Sequence, residues 1–256
     1  MNTIDNVKTR KEPTSCAGFM ALMMGRLQAR FNRMAEPKHV ARVQETLDQA
    51  KDFTDLQSYL EVDDSEYQSI STEFDEIKAA LKANLGHHST SDINLLWLEY
   101  LLCRSKKPSK VMEAGVWIGS SSHVILRALQ KNGTGHLSSI DFPPLLKKHR
   151  VFIGKVVQED QYPLWSLHLG PSKTFMRKIA KPSSLGIFIH DSDHTYKNMM
   201  AEFEIAWDLL EDGGYLVSDD ASWNDSVLDF SEKVGVPAKF FHRGGGGSVA
   251  LMRKPS

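Results

Sequence analysis

The sequence has few cysteines, almost no net charge and no long apolar run. Only two of its 256 residues are cysteines, Cys16 and Cys103, which form neither a metal-ligand spacing nor a disulfide framework, so a reducing compartment is expected. The formal net charge of -1 argues against a broad electrostatic surface for nucleic acid. No apolar run reaches transmembrane length, and the N-terminal stretch lacks the apolar region of a secretory signal. A soluble cytoplasmic protein without nucleic-acid or membrane partners is therefore expected.

The first 105 residues show helical patterns and no strand pattern. Apolar residues at helical spacing predict four helices, at 17–35, 38–52, 72–84 and 92–102. The acidic stretch 61–66 between them is interpreted as a solvated loop. We therefore expect residues 1–105 to form a helical extension, which could pack on the main domain, act as a lid over a substrate site, or form a homodimer contact.

From residue 106 onward, strand-like runs alternate with helical ones. The predicted strands cover 110–115, 135–141, 165–169, 185–190 and 214–219. This alternation is typical of an α/β fold in which a parallel sheet has helices on both faces. Two further runs, 238–242 and 248–253, flank four glycines and predict an antiparallel hairpin at the end of residues 106–256.

The first predicted strand leads into a glycine loop with the pattern Glu113-x-Gly115-x-x-x-Gly119, followed by Ser120 and an apolar helix. Glycines at such a turn let a ligand approach the backbone, and the helix N-terminus supplies N–H donors. The second strand ends in Asp141, and an acid there can accept both hydroxyls of a ribose. Together these features predict a nucleoside-binding site. The bland alternative is a tight turn and a surface aspartate.

The stretch from residue 185 to residue 220 reads as strand, helix and strand, and Gly213-Gly214 are expected to end the helix. Because the crossover makes the two strands parallel, Asp191, Asp219 and Asp220 should converge at one edge of the sheet. Three close carboxylates repel one another unless a cation shares the site. Hard oxygen ligands of this kind suit Mg²⁺, Ca²⁺ or Mn²⁺.

The glycine loop followed by Ile140-Asp141 resembles the class I S-adenosylmethionine-dependent methyltransferases. The segments FIHDSDHTY and LLEDGGYLVSDD resemble a narrower group, the metal-dependent small-molecule and sugar O-methyltransferases and the rhamnosyl O-methyltransferase/cephalosporin-hydroxylase-type proteins. The resemblance covers about residues 108–256. It implies a Rossmann-like sheet, mostly parallel with a C-terminal antiparallel hairpin, after a helical N-terminal extension.

The resemblance also implies roles for individual residues. The divalent cation, Mg²⁺ in this interpretation, would be held by Asp191, Asp219 and Asp220. His194 lies where the family keeps its general base, and Asp191 would share the catalytic role. The implied reaction is methylation of a hydroxyl on a small molecule, a sugar or a natural-product intermediate. The S-adenosylmethionine cofactor would be bound by Glu113, Gly115, Gly119, Ser120, Asp141, Ser172 and Asp191.

Other interpretations of these residues are open at this point. His194 could cap the following helix, and Asp219-Asp220 could form a solvated turn. The chain could be a nicotinamide-dependent oxidoreductase, although the loop spacing disfavours this, or a non-catalytic nucleoside-binding or scaffold protein of the same fold. Nucleic-acid methylation is disfavoured by the neutral charge.

Overall fold

The computed structural model describes residue 42 and residues 47–85, 91–142, 147–244 and 246–256. The helix predicted at 17–35 lies outside these residues, as does most of the one predicted at 38–52. The end of the latter prediction is wrong, because residues 47–49 are the last helical ones. Lys51 instead pairs with Phe241 as an isolated β-bridge.

Seven strands form one sheet in the order β3-β2-β1-β4-β5-β7-β6. Strands β1 to β5 are parallel, and β7 is antiparallel to both β5 and β6. This confirms the predicted parallel sheet and closing hairpin. The strands are β1 (Lys110–Ala114), β2 (His136–Asp141), β3 (Trp165–Leu169), β4 (Leu185–His190), β5 (Leu210–Ser218), β6 (Lys239–His242) and β7 (Ser248–Arg253).

Helices cover both faces of the sheet, as the alternation of patterns predicted. Successive side chains of a strand point to opposite faces, so Val111 of β1 lies in one apolar cluster and Met112 in the other. Short 3-10 turns lie at 53–55, 147–152 and 159–164. The α-helices are α1 (Leu56–Tyr59), α2 (Asp64–Leu85), α3 (Ile93–Lys106), α4 (Ser120–Asn132), α5 (Ser172–Ile179), α6 (Tyr196–Leu209) and α7 (Ser226–Val234).

The helical region before β1 shares a core with the sheet. Leu56, Ile70 and Leu95 lie in the same buried cluster as Val111 and Val217. Within the described ranges, none of the helices combines the length and apolar character needed to cross a bilayer. Helices that precede the first strand therefore pack, together with α4, on one face of the sheet.

Three further local predictions are wrong in whole or in part. Helix α2 begins at Asp64 and not at residue 72, because Asp63 accepts a hydrogen bond from the Glu66 N–H (2.9 Å) and caps its first turn. The acidic stretch 61–66 is therefore partly helical. Gly213 and Gly214 lie inside β5 and do not end a helix, because α6 ends at Leu209 and the chain turns directly into the strand.

Candidate active site

A cavity of ≈ 370 Å³ opens at the C-terminal edge of the parallel strands. In open α/β sheets this edge is where ligands bind. Four of the predicted cofactor residues contribute to its wall, namely Gly115, Asp141, Ser172 and Asp191. The other lining residues are Ile140, Phe142, Gly170, Pro171, Lys173, Ser192, Asp193, Asn198 and Glu202.

Gly115 lies where β1 meets the end of β4, and no side chain fits there. Its φ is +95°, and a Cβ atom would come 1.9 Å from the carbonyl oxygen of Asp191. Gly119 immediately precedes α4 with φ +88°, and a Cβ atom there would lie 2.8 Å from the Cα of Gly154. Both glycines are therefore required because another backbone segment of the chain approaches them closely, whereas the approach of a ligand, which the loop pattern predicted, stays a prediction.

Asp141 is tied to the glycine loop. Its Oδ2 accepts hydrogen bonds from the backbone N–H groups of Val116 (3.0 Å) and Trp117 (2.8 Å). Trp117 itself has a positive φ of 52°, which is uncommon for a bulky side chain. The aspartate therefore holds the strained loop in place from the neighbouring strand while it borders the cavity. The alternative interpretation, in which Asp141 is a surface residue without a role at the glycine turn, is therefore wrong.

Glu113 is fully buried beneath the start of α4 and does not line the cavity. It accepts hydrogen bonds from the hydroxyls of Ser121 (2.5 Å), Ser122 and Ser139 (2.5 Å). Burial raises the pKa of Glu113 to about 7, against the opposing effect of these hydroxyls. Its observed contacts are thus with the helix and strand that position the loop. Ser120 is also buried at the start of α4, outside the cavity wall.

The predicted acids meet at the same edge of the sheet, together with His194. Asp191, His194 and Asp219 each offer one possible ligand atom, and these atoms all lie within 4.8 Å of one another. The His194 Nε2 is 3.8 Å from Asp191 Oδ1 and 4.0 Å from Asp220 Oδ2. Asp220 is close to this group but outside it. Burial, followed by the charges of Asp191 and Asp220, raises the pKa of Asp219 well above its ordinary value.

The position of His194 is fixed by its neighbours. Its ring packs against the rings of His190 (centroids 5.1 Å apart) and Trp223 (5.5 Å). Asn224 donates a hydrogen bond from Nδ2 to the His194 carbonyl (2.9 Å). Helix α6 begins after Thr195, so the interpretation of His194 as its cap is wrong. The imidazole is instead held beside the carboxylates.

Glu202 forms the polar base of the cavity, and the sequence analysis did not single it out. It is fully buried and accepts from His190 Nδ1 (2.7 Å), the Ser172 hydroxyl, Ser192 (2.9 Å) and Asn198 (3.1 Å). Burial alone would raise its pKa, but the hydrogen bonds, that of His190 first, lower it overall. The predicted cofactor residue Ser172 is therefore oriented by a buried carboxylate from the next helix.

Two further charged residues near the site were missed. Arg243 forms ion pairs with both Asp219 (3.4 Å) and Asp220. Glu99 on α3 is fully buried, and neither of its carboxyl oxygens has a hydrogen-bond partner among the residues the structure describes. Burial, then the charges of Glu113, Asp191 and Asp219, raises the pKa of Glu99 well above its ordinary value. The sequence signals for them were weak: Glu99 is a single acid within an apolar helical segment, and Arg243 is a single arginine before four glycines.

Comparison with known proteins gives matches for both the sequence and the fold. Residues 112–221 match the family model described as a methyltransferase domain. None of the curated proteins searched matches the sequence significantly. Among solved structures, the O-methyltransferase TomG from Streptomyces achromogenes, involved in tomaymycin synthesis and solved in complex with SAM, aligns with a TM-score of 0.56 at 16% identity. The alignment covers 69% of this chain and 90% of that one.

Two other solved structures are similar to the same extent. An O-methyltransferase from Bacillus cereus in complex with SAH has a TM-score of 0.54 at 17% identity, covering 78% of this chain and 95% of that one. A methyltransferase from Geobacter sulfurreducens has a TM-score of 0.54 at 17% identity, covering 79% and 97%. At these identities the likeness establishes the fold, and the family model shows a sequence similarity over residues 112–221. Residues 112–221 are therefore similar to a methyltransferase domain, and the chain has a Rossmann-like fold shared with these methyltransferase structures.

Proposed function

We propose that this protein transfers the methyl group of S-adenosylmethionine to a hydroxyl of a small molecule, a sugar or a natural-product intermediate. One observation carries the proposal. The cavity bordered by Gly115 and Asp141 reaches Asp191, which also belongs to the cluster of carboxylates and histidine. A cofactor bound along the cavity would therefore have its reactive end beside groups able to orient and deprotonate an acceptor.

The cofactor would lie with its ribose on Asp141. A carboxylate has about four acceptor sites, so Asp141 can keep its two backbone hydrogen bonds to the loop and still accept from the ribose hydroxyls. The adenine would lie toward Gly170 and Ser172, and the methionine end toward Gly119 and the start of α4. In this proposal Glu113 acts indirectly, by positioning the helix whose N–H groups face the cofactor carboxylate.

Methyl transfer from a sulfonium is a displacement in which the acceptor oxygen, the methyl carbon and the sulfur must be in line. The protein supplies alignment and takes the hydroxyl proton. In this proposal His194 accepts that proton, and the packing of its ring against two aromatic neighbours beside Asp191 and Asp220 supports the role. A positioned histidine can accept a proton near neutral pH.

The carboxylates fit a divalent cation, for which Mg²⁺ is the proposed ion. Asp191 and Asp219 bring oxygen atoms close enough to share one ion, and burial of Asp219 beside two other acids favours a cation there. Asp220 would be the third carboxylate of the set. When bound, such an ion would lower the pKa of the acceptor hydroxyl and orient it. The protein residues would still have to hold the acceptor and remove its proton.

The acceptor side of the site is proposed to be shaped by the N-terminal region. The start of α3 approaches the closing hairpin, where Asn94 Nδ2 donates to the carbonyl of His242 (3.2 Å). Residue 42 also contacts α7, through ion pairs of Arg42 with Asp229 (3.0 Å) and Glu232 (2.5 Å). These contacts support a covering role for residues before β1. The homodimer through the N-terminal helices and the cytoplasmic location stay predictions.

The direct test is methyl transfer by the purified full-length protein from labelled S-adenosylmethionine to a panel of hydroxylated metabolites, with and without a chelator. We expect transfer to at least one hydroxylated compound, lost on chelation and in Asp219→Asn. The matched control is Asp160→Asn, an exposed aspartate paired with Arg127. Transfer that is unaffected by chelation and by Asp219→Asn would contradict the metal-dependent part of the proposal. Failure to bind S-adenosylmethionine would contradict all of it.

A further inference from the structure

Arg243 supplies positive charge at the carboxylates proposed to hold the metal. Its Nη1 lies 3.4 Å from Asp219 Oδ1 and donates a hydrogen bond to Asp220 Oδ1. The three side chains are 19%, 6% and 14% exposed, respectively. Ion pairs this shielded from water interact far more strongly than those at a surface. The guanidinium is therefore a significant partner of these acids and not an incidental surface contact.

The arginine also accounts for the position of Asp220. The group that could hold an ion contains Asp191, His194 and Asp219 but not Asp220. Asp220 has a positive φ of 48°, and its Oδ1 is directed to Arg243. This Oδ1 is oriented toward the guanidinium, while Oδ2 lies 4.0 Å from His194 Nε2. The ion pair with Arg243 thus accounts for the orientation of the third carboxylate of the predicted set.

A metal ion at these acids would be repelled by the guanidinium beside them. A divalent ion and Arg243 together would bring three positive charges to Asp191, Asp219 and Asp220, which carry at most three negative charges between them. Like charges this close in a shielded site repel by an amount comparable to the attraction that holds each one. Release of Asp220 by the arginine would relieve this repulsion.

The backbone of the arginine is anchored by the closing hairpin. Its backbone is held at the base of the closing hairpin, where its N–H donates to the carbonyl of Gly247 (3.1 Å) and its carbonyl accepts from the N–H of Gly246 (3.2 Å). Both glycines have positive φ, and a Cβ atom at Gly246 would meet no other atom within 4 Å. The hairpin thus fixes the backbone of Arg243, so that release of the acids would be a change of its side-chain rotamer.

We propose that Arg243 is an internal competitor for the divalent cation. It neutralises Asp219 and Asp220 when no ion is bound, and metal binding requires it to release Asp220. This inference rests on the proposed metal at the acid cluster. Arg243 is in this sense a positioning residue that sets metal affinity, with no part in methyl transfer itself.

The test is the affinity of the full-length protein for Mg²⁺, and for Mn²⁺ as a spectroscopic probe, measured by calorimetry and electron paramagnetic resonance. Arg243→Met should bind both ions about 5- to 150-fold more tightly than wild type, the usual range of coupling between two ligands. Arg243→Lys keeps the charge and should recover much of the competition. The control is Arg127→Met, which removes a half-buried arginine paired with the exposed Asp160 and should leave metal affinity unchanged.

A second measurement does not depend on whether Arg243→Met folds. In wild-type protein with ¹⁵N-labelled arginine, the Nε–H signal of Arg243, assigned through Arg243→Lys, should shift toward that of an exposed arginine when Mg²⁺ is added. The proposal is wrong if this signal is unchanged at saturating metal, or if Arg243→Met binds the ions no more tightly than wild type. It is also wrong if neither protein binds an ion.

Binding of S-adenosylhomocysteine, followed separately, distinguishes failure of this inference from failure of the proposed function. If S-adenosylhomocysteine binds and hydroxyls are methylated while Arg243→Met leaves metal affinity unchanged, only the competition is refuted. If S-adenosylhomocysteine does not bind but Arg243→Met still binds metal more tightly than wild type, the competition stands and the methyltransferase proposal does not.

Discussion

Gly115 is the position at which a single added methyl group should do the most damage to the cofactor site. In Gly115→Ala the new Cβ would lie 1.9 Å from the Asp191 carbonyl oxygen, 2.4 Å from its carbonyl carbon and 2.9 Å from the Ser192 nitrogen. All three are backbone atoms, so no side-chain rotation relieves the clash. The ends of β1 and β4 must separate, and this moves the glycine loop away from Asp191.

The cost can be worked from two terms. The backbone of Gly115 has φ +95°, and a left-handed conformation costs a residue with a Cβ about 1–2 kcal/mol. Overpacking against fixed backbone adds about 1–3 kcal/mol. The free energy of unfolding should therefore fall by about 2–5 kcal/mol. Because a 1 Å misplacement in a site can cost about 100-fold, cofactor affinity should fall by about tenfold or more.

Gly133→Ala is the matched control. Gly133 also has a positive φ, +67°, but a Cβ there would meet nothing within 4 Å. It should lose only the backbone term, about 1–2 kcal/mol, and keep its affinity for S-adenosylhomocysteine. Urea unfolding gives the stabilities and calorimetry the affinities. If the two variants lose equal stability and bind S-adenosylhomocysteine equally well, the close approach of β1 and β4 at Gly115 does not position the glycine loop.

Three more predictions follow from the site. Asp141→Asn should weaken binding of S-adenosylhomocysteine by about 1.5–3 kcal/mol, the value of hydrogen bonds to a charged group, whereas Asp160→Asn should not change it in calorimetry. His194→Gln should lower kcat by about 10²–10⁴ and remove an ionisation near neutral pH from the rate profile. The pKa of Glu99 is raised in the folded state. The contribution of its protonated form to stability is therefore full below the unfolded pKa and is lost as pH rises through the folded pKa. Relative to wild type, Glu99→Gln should become more stable as the pH of urea unfolding is raised from about 5 to about 8.

Each of these has a contrary outcome. If Asp141→Asn and Asp160→Asn bind S-adenosylhomocysteine with equal affinity, the proposed contact between the ribose and Asp141 is wrong. A wild-type kcat and pH profile in His194→Gln would place the proton acceptor elsewhere. For the buried acid, the control is Glu76→Gln on the exposed side of α2. A stability difference between Glu99→Gln and wild type that is the same at both pH values would mean that Glu99 has an ordinary pKa in the folded protein.

The features that could be predicted from the sequence are those encoded within one or two neighbouring elements. The alternation of strand and helix patterns predicts the parallel sheet, and the acids at strand ends then meet because parallel strands end at one edge. Asp141 and Gly115 were found in this way, because each follows directly from the end of a strand. The structure adds that they interact, through the Val116 and Trp117 N–H groups.

The features that could not be predicted depend on distant pairing. Arg243 reaches Asp220 because β7 brings the closing hairpin alongside β5, a contact across 23 residues with no local signal. Glu99 is buried because α3 packs into the core on the face of the sheet that carries Val111. Gly213 and Gly214 resemble a helix stop, but the pairing of β5 with β4 begins at Leu210 and overrides that signal.

The central claim is methyl transfer from sulfur to an oxygen, and the most direct test follows the methyl carbon itself. The protein is incubated with S-adenosylmethionine carrying a ¹³C-methyl group and with an acceptor identified from the hydroxylated panel, and the label is observed by NMR. We predict that the sulfonium methyl resonance decays while an O-methyl resonance of the acceptor grows at the same rate. A label that stays on sulfur with every acceptor, or that appears on nitrogen or carbon, would contradict the account.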